Sequence, residues 1–299
     1  MSSKWFEGFA PQRRVAGEVD LFLRTGGRAD GAPLLLLHGF PQTHVMWQRV
    51  ARALAPHFAL VLPDLPGYGD STVAPDEPEH AQASKRRMAA ALHALMRQLG
   101  HERYFVAGHD RGGRVAHRLA LDQPAAVRRL ALLDIAPTLD MYEATDLPFA
   151  RAYYHWFHLI QPAPLPERMI AGDAMHYLHA KLGGWGSAGL AHIEAEALAE
   201  YERCFARPEN IHGACEDYRA SAGTDLDLDR ASRRAGQRIA CDTLVMWGQR
   251  GVVQRLFDPQ SLWQAQCAGR VTPLALPCGH FIPEEQPAAT AAALRDFFR

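Results

Sequence analysis

One turn in the sequence constrains the fold more than any other feature. The apolar run of residues 104–107 passes through Gly108 and Gly112 into a helical pattern over residues 115–121. A strand that turns directly into a helix needs glycine where the backbone is cramped. Asp110 lies at the middle of this turn, a position where enzymes with such a turn often carry serine. The pattern predicts a carboxylate above the edge of a sheet, at a helix N-terminus that favours negative charge.

Apolar runs and helical spacing alternate along the chain. Strands are predicted where the runs are short and end in turns, at residues 34–37, 58–62, 104–107, 127–133, 243–248 and 271–276. Helical spacing is found at residues 85–99, 115–121 and 288–298. This alternation indicates an α/β fold, with a mostly parallel sheet flanked by helices. A chain of 299 residues, 48% of them hydrophobic, can bury one large core or a core with a smaller lid.

The middle of the chain lacks strand patterns. Residues 153–157 are aromatic, and several short helical stretches follow them. We therefore predict a core domain formed by residues 1–138 and 224–299, interrupted by a helical cap at residues 139–223. The insertion follows the carboxyl end of a strand, where open α/β sheets bind their ligands.

Composition excludes several classes of function. The chain has 32 Lys and Arg against 33 Asp and Glu, which is unlike a nucleic-acid-binding protein. No apolar run is long enough to span a membrane, and residues 1–14 lack the apolar segment of a signal peptide. Five cysteines without CxxC spacing favour free thiols in a reducing cytoplasm and argue against a zinc site. We expect a cytoplasmic protein.

The carboxylate at Asp110 suggests a specific chemistry. A serine would suit attack on an acyl carbon, whereas a carboxylate is already anionic at neutral pH and can attack a saturated carbon, forming an alkyl-enzyme ester. The leaving group would be a halide or the oxygen of a strained ring. The alternative is that Asp110 only caps the helix, but a cap does not need glycine on both sides.

Hydrolysis of such an ester needs a base for water and an acid that orients the base. Among 15 histidines, His280 is favoured because it follows the last predicted strand within a glycine turn. The loop at residues 247–251 has no carboxylate, so we assign the acid to Asp134, at the end of the strand after the nucleophile helix. Asp258 is the second candidate, although it precedes Pro259 and is typical of a turn or cap.

Backbone and cationic groups complete the predicted site. The N–H groups of Phe40 and Arg111 would form an oxyanion hole for the tetrahedral state of ester hydrolysis. Arg111 and Arg114 are three residues apart and share a helix face. Beside a nucleophilic carboxylate they would form a fork for a substrate carboxylate. The alternative is an ordinary outward-facing pair.

These residues resemble the α/β-hydrolase superfamily and, within it, the fluoroacetate (haloacetate) dehalogenases, over nearly the whole chain. The most specific matches are Gly108-His109-Asp110-Arg111-Gly112-Gly113-Arg114, Asp134, His155-Trp156 and Gly279-His280-Phe281-Ile282-Pro283-Glu284-Glu285. The resemblance implies Asp110 as nucleophile, His280 as base with Asp134 as its partner, and Arg111 and Arg114 as the carboxylate clamp.

Further roles rest on the resemblance alone. It implies that His155, Trp156 and Tyr218 hold the departing halide, with Tyr154 and Tyr201 as other tyrosines of the insertion. His109, Trp185 and Phe40 would line the pocket. It also implies no metal or organic cofactor, and a homodimer. The expected reaction converts a haloacetate, either fluoroacetate or chloroacetate, to glycolate and halide.

Rival functions share parts of this pattern. An epoxide hydrolase also uses an Asp nucleophile, but an aromatic residue often follows it and two cap tyrosines hold the ring oxygen. A haloalkane dehalogenase usually has Trp at the position of Arg111. Neither needs two arginines for a neutral substrate. A non-catalytic carboxylate-binding protein of the same fold would have no use for His280 opposite Asp110.

Overall fold

The computed structural model describes residues 6–299. Residues 1–5, the start of the segment considered for a signal peptide, lie outside the described residues. Within the described range eight strands form one sheet, in the order β1-β2-β4-β3-β5-β6-β7-β8. The strands are β1 Phe9–Ala16, β2 Val19–Gly27, β3 Ala32–Leu37, β4 Phe58–Pro63, β5 Tyr104–His109, β6 Val127–Leu133, β7 Thr243–Gly248 and β8 Val271–Leu276. Strands β3 to β8 run parallel, whereas β1 and β2 pair antiparallel at one edge.

Helices cover the sheet and fill the long connection between β6 and β7. They are α1 Gln48–Leu54, α2 Lys85–Gln98, α3 Asp110–Asp122, α4 Thr138–Glu143, α5 Leu147–Ala152, α6 Tyr154–Leu159, α7 Leu165–Gly172, α8 Ala174–Leu182, α9 Ala195–Phe205, α10 Pro208–Ala222, α11 Thr224–Arg234, α12 Val252–Leu256, α13 Pro259–Gln266, α14 Ile282–Glu285 and α15 Pro287–Phe298. In the described part of the chain, no helix combines the length and apolar character that crossing a membrane requires.

The α/β fold class is confirmed, and burial explains which strands the sequence revealed. The four leucines of β3, residues 34–37, have no exposed surface, as expected for a parallel strand covered on both faces. Such strands read as continuous apolar runs. Strands β1 and β2 were not predicted, because β1 is an edge strand whose interior is largely exposed and contains Pro11.

The helical connection between β6 and β7 runs from Thr138 to Arg234, beyond residue 223. Its last helix, α11, turns back to the core: Arg118 of α3 donates to Asp229 at 2.6 Å and to Ser232 at 3.0 Å. These contacts favour the assignment of residues from 224 onwards to the core domain. The division into core and cap remains a proposal.

Candidate active site

Asp110 lies where β5 turns into α3, with a backbone φ of 46°, in the left-handed region. Two glycines near Asp110 are needed because neighbouring segments of the chain approach their Cα atoms too closely for a side chain. A Cβ on Gly112 would lie 2.3 Å from the carbonyl oxygen of His38, and one on Gly39 would lie 2.5 Å from the Cβ of Asp110. A strained non-glycine residue held by such tight packing is typical of functional sites.

The Asp110 carboxylate is 7% exposed. The backbone N–H of Phe40 donates to its Oδ1 at 2.9 Å. Burial by itself would raise the pKa of Asp110, but the positive charges of His280 and Arg111 outweigh burial and lower the pKa below its ordinary value. Asp110 is therefore an anion at neutral pH, as a carboxylate nucleophile requires.

His280 and Asp134 form a buried pair above the same edge of the sheet. Nδ1 of His280 lies 2.6 Å from Oδ2 of Asp134, and the N–H of Gly248 donates to Oδ1 of Asp134 at 2.9 Å. The other ring nitrogen of His280, Nε2, is buried and has no hydrogen-bond partner among residues 6–299. This arrangement leaves Nε2 able to accept a proton. Asp258 instead caps α13, accepting a hydrogen bond from the N–H of Ser261 at 3.2 Å.

The environment of His280 predicts a loss of activity in acid. Burial would lower its pKa, but the hydrogen bond and charge of Asp134 and the charge of Asp110 raise the pKa above its ordinary value of 6.5. Below that pKa the imidazole is protonated on both nitrogens and cannot take a proton from water. Activity should fall as pH decreases through this pKa, as measured by the pH profiles of kcat and kcat/KM.

The Asp134→Asn variant is the control for this pH profile. It removes the hydrogen bond and charge that contribute most to raising the pKa of His280, so the acid midpoint should move to lower pH while the maximal rate falls. An unchanged midpoint in this variant, or a wild-type rate that increases in acid, would contradict the role of His280 as base.

Arg111 and Arg114 are both buried, at 0% and 3% exposure, which excludes the outward-facing alternative. Arg111 binds Asp217 through two nitrogens, with Nε at 2.8 Å from Oδ2 and Nη2 at 2.7 Å from Oδ1. Nη1 of Arg114 donates to Thr138 at 2.8 Å, and its guanidinium lies 4.7 Å from the centre of the Trp156 ring. Nη1 of Arg111 and Nε of Arg114 are buried without a partner in the described chain.

The predicted halide-binding residues pack against one another and against Phe40, whose N–H donates to Asp110. The ring of Tyr218 lies 5.5 Å from that of His155 and 6.4 Å from that of Trp156, measured between centroids. Nδ1 of His155 and the hydroxyl of Tyr218 are buried and unpaired within residues 6–299. The hydroxyl of Tyr201 is bound to Glu284, and Tyr154 is 47% exposed. Tyr218 is therefore the best placed of the three tyrosines considered.

The predicted pocket residues lie against the same cluster. The Trp185 ring is 4.7 Å from His155 and 5.2 Å from His280, and the His109 ring is 4.5 Å from His280. The Phe40 ring stacks on His155 at 6.0 Å. No group of three His, Cys, Asp or Glu side chains able to hold a metal ion is found in the described range.

Asp217 was missed by the sequence analysis. It lies on α10, is fully buried and binds Arg111, yet nothing in its local sequence distinguishes it from other helical carboxylates. Its neighbour Tyr218 was identified only by resemblance. The one signal in the sequence is that Asp217 directly precedes this tyrosine.

Comparisons with known proteins place this geometry in a family. Residues 32–287 match the model of the α/β-hydrolase fold family. A fluoroacetate dehalogenase from Burkholderia sp is 44% identical over 98% of this chain and 94% of its own length. A soluble epoxide hydrolase from Corynebacterium sp. (strain C12) is 31% identical over 90% of each chain.

A solved structure agrees with these relatives. The crystal structure of ALR0039 from Nostoc sp PCC 7120 is 48% identical, covers 98% of this chain and 99% of its own, and superposes with a TM-score of 0.94. The chain belongs to the α/β-hydrolase superfamily and, within it, to the family that contains the fluoroacetate dehalogenase from Burkholderia sp.

Proposed function

We propose that the protein is a hydrolase of carbon–halogen bonds that converts fluoroacetate or chloroacetate to glycolate and halide, without a metal or organic cofactor. This proposal rests on two guanidinium nitrogens, one on Arg111 and one on Arg114, that have no partner in the described part of the chain and lie in the helix that begins with the anionic Asp110. They suit a short substrate with a carboxylate one bond from the reacting carbon. The 44% identical fluoroacetate dehalogenase supports this choice of substrate.

In the first step, Oδ2 of Asp110 attacks the α-carbon and the carbon–halogen bond breaks, giving an ester and a halide ion. Nη1 of Arg111 and Nε of Arg114 hold the substrate carboxylate so that the α-carbon faces Asp110. Burial raises the pKa of Tyr218 well above its ordinary value, so its hydroxyl keeps the proton that it donates to the halide. Burial keeps His155 neutral, and Trp156 completes the halide site.

In the second step, Nε2 of His280 takes a proton from water while the water oxygen attacks the carboxyl carbon of Asp110. The negative charge develops on Oδ1, where the N–H of Phe40 already donates, and the N–H of Arg111 would complete the oxyanion hole. The bond between the carboxyl carbon and Oδ2 then breaks. His280 returns its proton to Oδ2, and glycolate leaves with Oδ2 as its hydroxyl oxygen. The second proton of the water leaves the renewed Asp110 carboxyl for solvent, which restores the carboxylate.

We also propose a cytoplasmic homodimer with a cap formed by residues 139–223. All five cysteines are free thiols in the structure, which suits a reducing compartment. The dimer rests on the resemblance alone.

Halide release tests the proposed function. Wild-type protein should release halide and glycolate in equal amounts from chloroacetate or fluoroacetate, as measured with a halide electrode, and should leave styrene oxide intact. Arg114→Ala should raise KM for the haloacetate by about tenfold or more, because a charge-assisted hydrogen bond to the substrate carboxylate is lost. Turnover of styrene oxide without halide release from any haloacetate would overturn the proposal.

An epoxide hydrolase is the second candidate, favoured by the 31% identical soluble epoxide hydrolase. Ring opening would need hydroxyl donors from the insertion. The hydroxyl of Tyr218 has no partner from residue 6 onwards, but that of Tyr201 is bound to Glu284 at 2.8 Å. A neutral epoxide would also leave the buried donors of Arg111 and Arg114 without a partner, which is costly.

A further inference from the structure

We propose that Asp217, on α10, is a positioning residue for Arg111. It aims Nη1 of Arg111, which has no partner among residues 6–299, at the substrate carboxylate and keeps the guanidinium from pairing with Asp110. This inference rests on the proposed carboxylate clamp and adds a residue that the clamp depends on.

The contacts of Arg111 leave it one direction in which to donate. Nε and Nη2 bind the two carboxylate oxygens of Asp217, and Nη2 also donates to the hydroxyl of Ser221 and to the carbonyl oxygen of residue 217. Nη1 is buried and unpaired within the described residues. A guanidinium is planar, so fixing two nitrogens fixes the third. Asp217 thereby determines where Nη1 points.

Asp217 is itself held rigidly. The hydroxyl of Tyr68 donates to its Oδ2 at 2.6 Å, and Nζ of Lys85 donates to its Oδ1. Lys85 also lies 3.4 Å from Asp225. All of these side chains are buried, so the network is dry and each member has few alternative partners. The positive charges of Arg111 and Lys85 hold the pKa of Asp217 well below its ordinary value, although burial opposes them, so it stays ionised.

The charge of Asp217 also protects the nucleophile. Arg111 follows Asp110 directly in the chain, yet no ion pair within 4.0 Å joins Asp110 to any arginine of the described residues. Without Asp217, the buried guanidinium would be free to turn toward Asp110, whose pKa the charge of Arg111 already lowers. A carboxylate paired with arginine is a weaker nucleophile, and the arginine would no longer face the substrate.

One helix therefore serves both ends of the substrate. Asp217 fixes the orientation of the Arg111 guanidinium. The next residue, Tyr218, belongs to the proposed halide site, and the centre of its ring lies 4.1 Å from Cζ of Arg111. Helix α10 also sits directly on the loop after β4, since a Cβ on Gly213 would lie 2.5 Å from the carbonyl oxygen of Gly67. This contact fixes α10 against the core.

The test compares Asp217→Asn with Glu216→Gln. Glu216 is the matched control, because it is a buried carboxylate on the same helix, bound to Arg219 at 2.8 Å but in no contact with Arg111. Asp217→Asn should weaken glycolate binding, measured by titration calorimetry, by about tenfold or more, and lower kcat/KM for chloroacetate by about 10²-fold. Glu216→Gln should change neither by more than about twofold.

A second variant covers the case in which Asp217→Asn does not fold. Asp217→Glu keeps the charge but shifts it by one methylene, so compared with wild type it should weaken glycolate binding and lower kcat/KM for chloroacetate, each by at least about threefold. Inhibition by bromide, which reports the halide site, should be unchanged in both Asp217 variants. Unaltered or tighter glycolate binding by both Asp217 variants would overturn the inference, as would an equal loss in Glu216→Gln or absence of glycolate binding by the wild type. If the wild type releases no halide, the proposed function is wrong. Glycolate binding would still test whether Asp217 positions Arg111.

Discussion

Asp110→Asn is expected to reduce halide release from chloroacetate by at least about 10⁴-fold. The amide is neutral and is a poor nucleophile toward saturated carbon, whereas Asp110 is held as an anion by the charges around it. Asn has nearly the shape of Asp, so the tight packing against Gly39 is kept. A halide electrode gives the rate, and the mass of the protein confirms that the amide remains.

Glycolate binding is the control for this variant. Arg111 and Arg114 are untouched, so Asp110→Asn should still bind glycolate, and the loss of rate then belongs to the chemical step. A single turnover of wild-type protein in water labelled with heavy oxygen is the complementary measurement. The first glycolate formed should carry no label, because its new oxygen comes from Asp110. Label in that first product would mean that water attacks the substrate directly.

His280→Asn is expected to stop the reaction after one turnover. The first step does not need a base, so halide should be released in an amount equal to the protein and then cease. Without Nε2 to take a proton from water, the ester on Asp110 should persist. Intact-mass measurement should show one added carboxymethyl group, and peptide mapping should place it on Asp110.

His117→Asn is the matched control for His280→Asn. His117 is also a buried histidine, 6% exposed, but it lies on α3 with its ring packed 5.0 Å from that of Trp263. Its replacement should leave multiple turnovers and no trapped adduct. Steady multiple turnover by His280→Asn, or an adduct on another residue, would contradict the two-step mechanism.

The sequence was most informative where backbone geometry is local. The predicted strands at residues 127–133, 243–248 and 271–276 coincide with β6, β7 and β8. Strand β7 is buried throughout and β6 is buried over its last four residues, so both contain an apolar run, whereas β8 is a partly buried edge strand that was recognised from apolar residues before a turn. The edge strand β1 and its antiparallel neighbour β2 lack a long apolar run and were missed. Asp110 was identified because the strand, the turn and the helix around it are formed by consecutive residues.

Residues whose position depends on tertiary packing were harder to find. Asp134 was chosen partly because the loop at residues 247–251 has no carboxylate, and the structure places it 2.6 Å from His280. Asp217 meets Arg111 and Lys85, which lie on two other helices far from it in the chain. Contacts between residues so far apart in the chain leave no local pattern in the sequence. The residues of the proposed halide site were named from resemblance for the same reason.

The hydrogen bond from Phe40 to Oδ1 of Asp110 makes the two oxygens of one carboxylate chemically distinct. In the proposed reaction only Oδ2 is given away, and the atom that replaces it comes from solvent. If Oδ1 keeps its hydrogen bond through every cycle, one oxygen of the Asp110 carboxylate is replaced at each turnover and the other is never exchanged. Each glycolate after the first would then carry the oxygen of the water molecule consumed one cycle earlier, so the isotopic composition of the product would lag that of the solvent by one turnover.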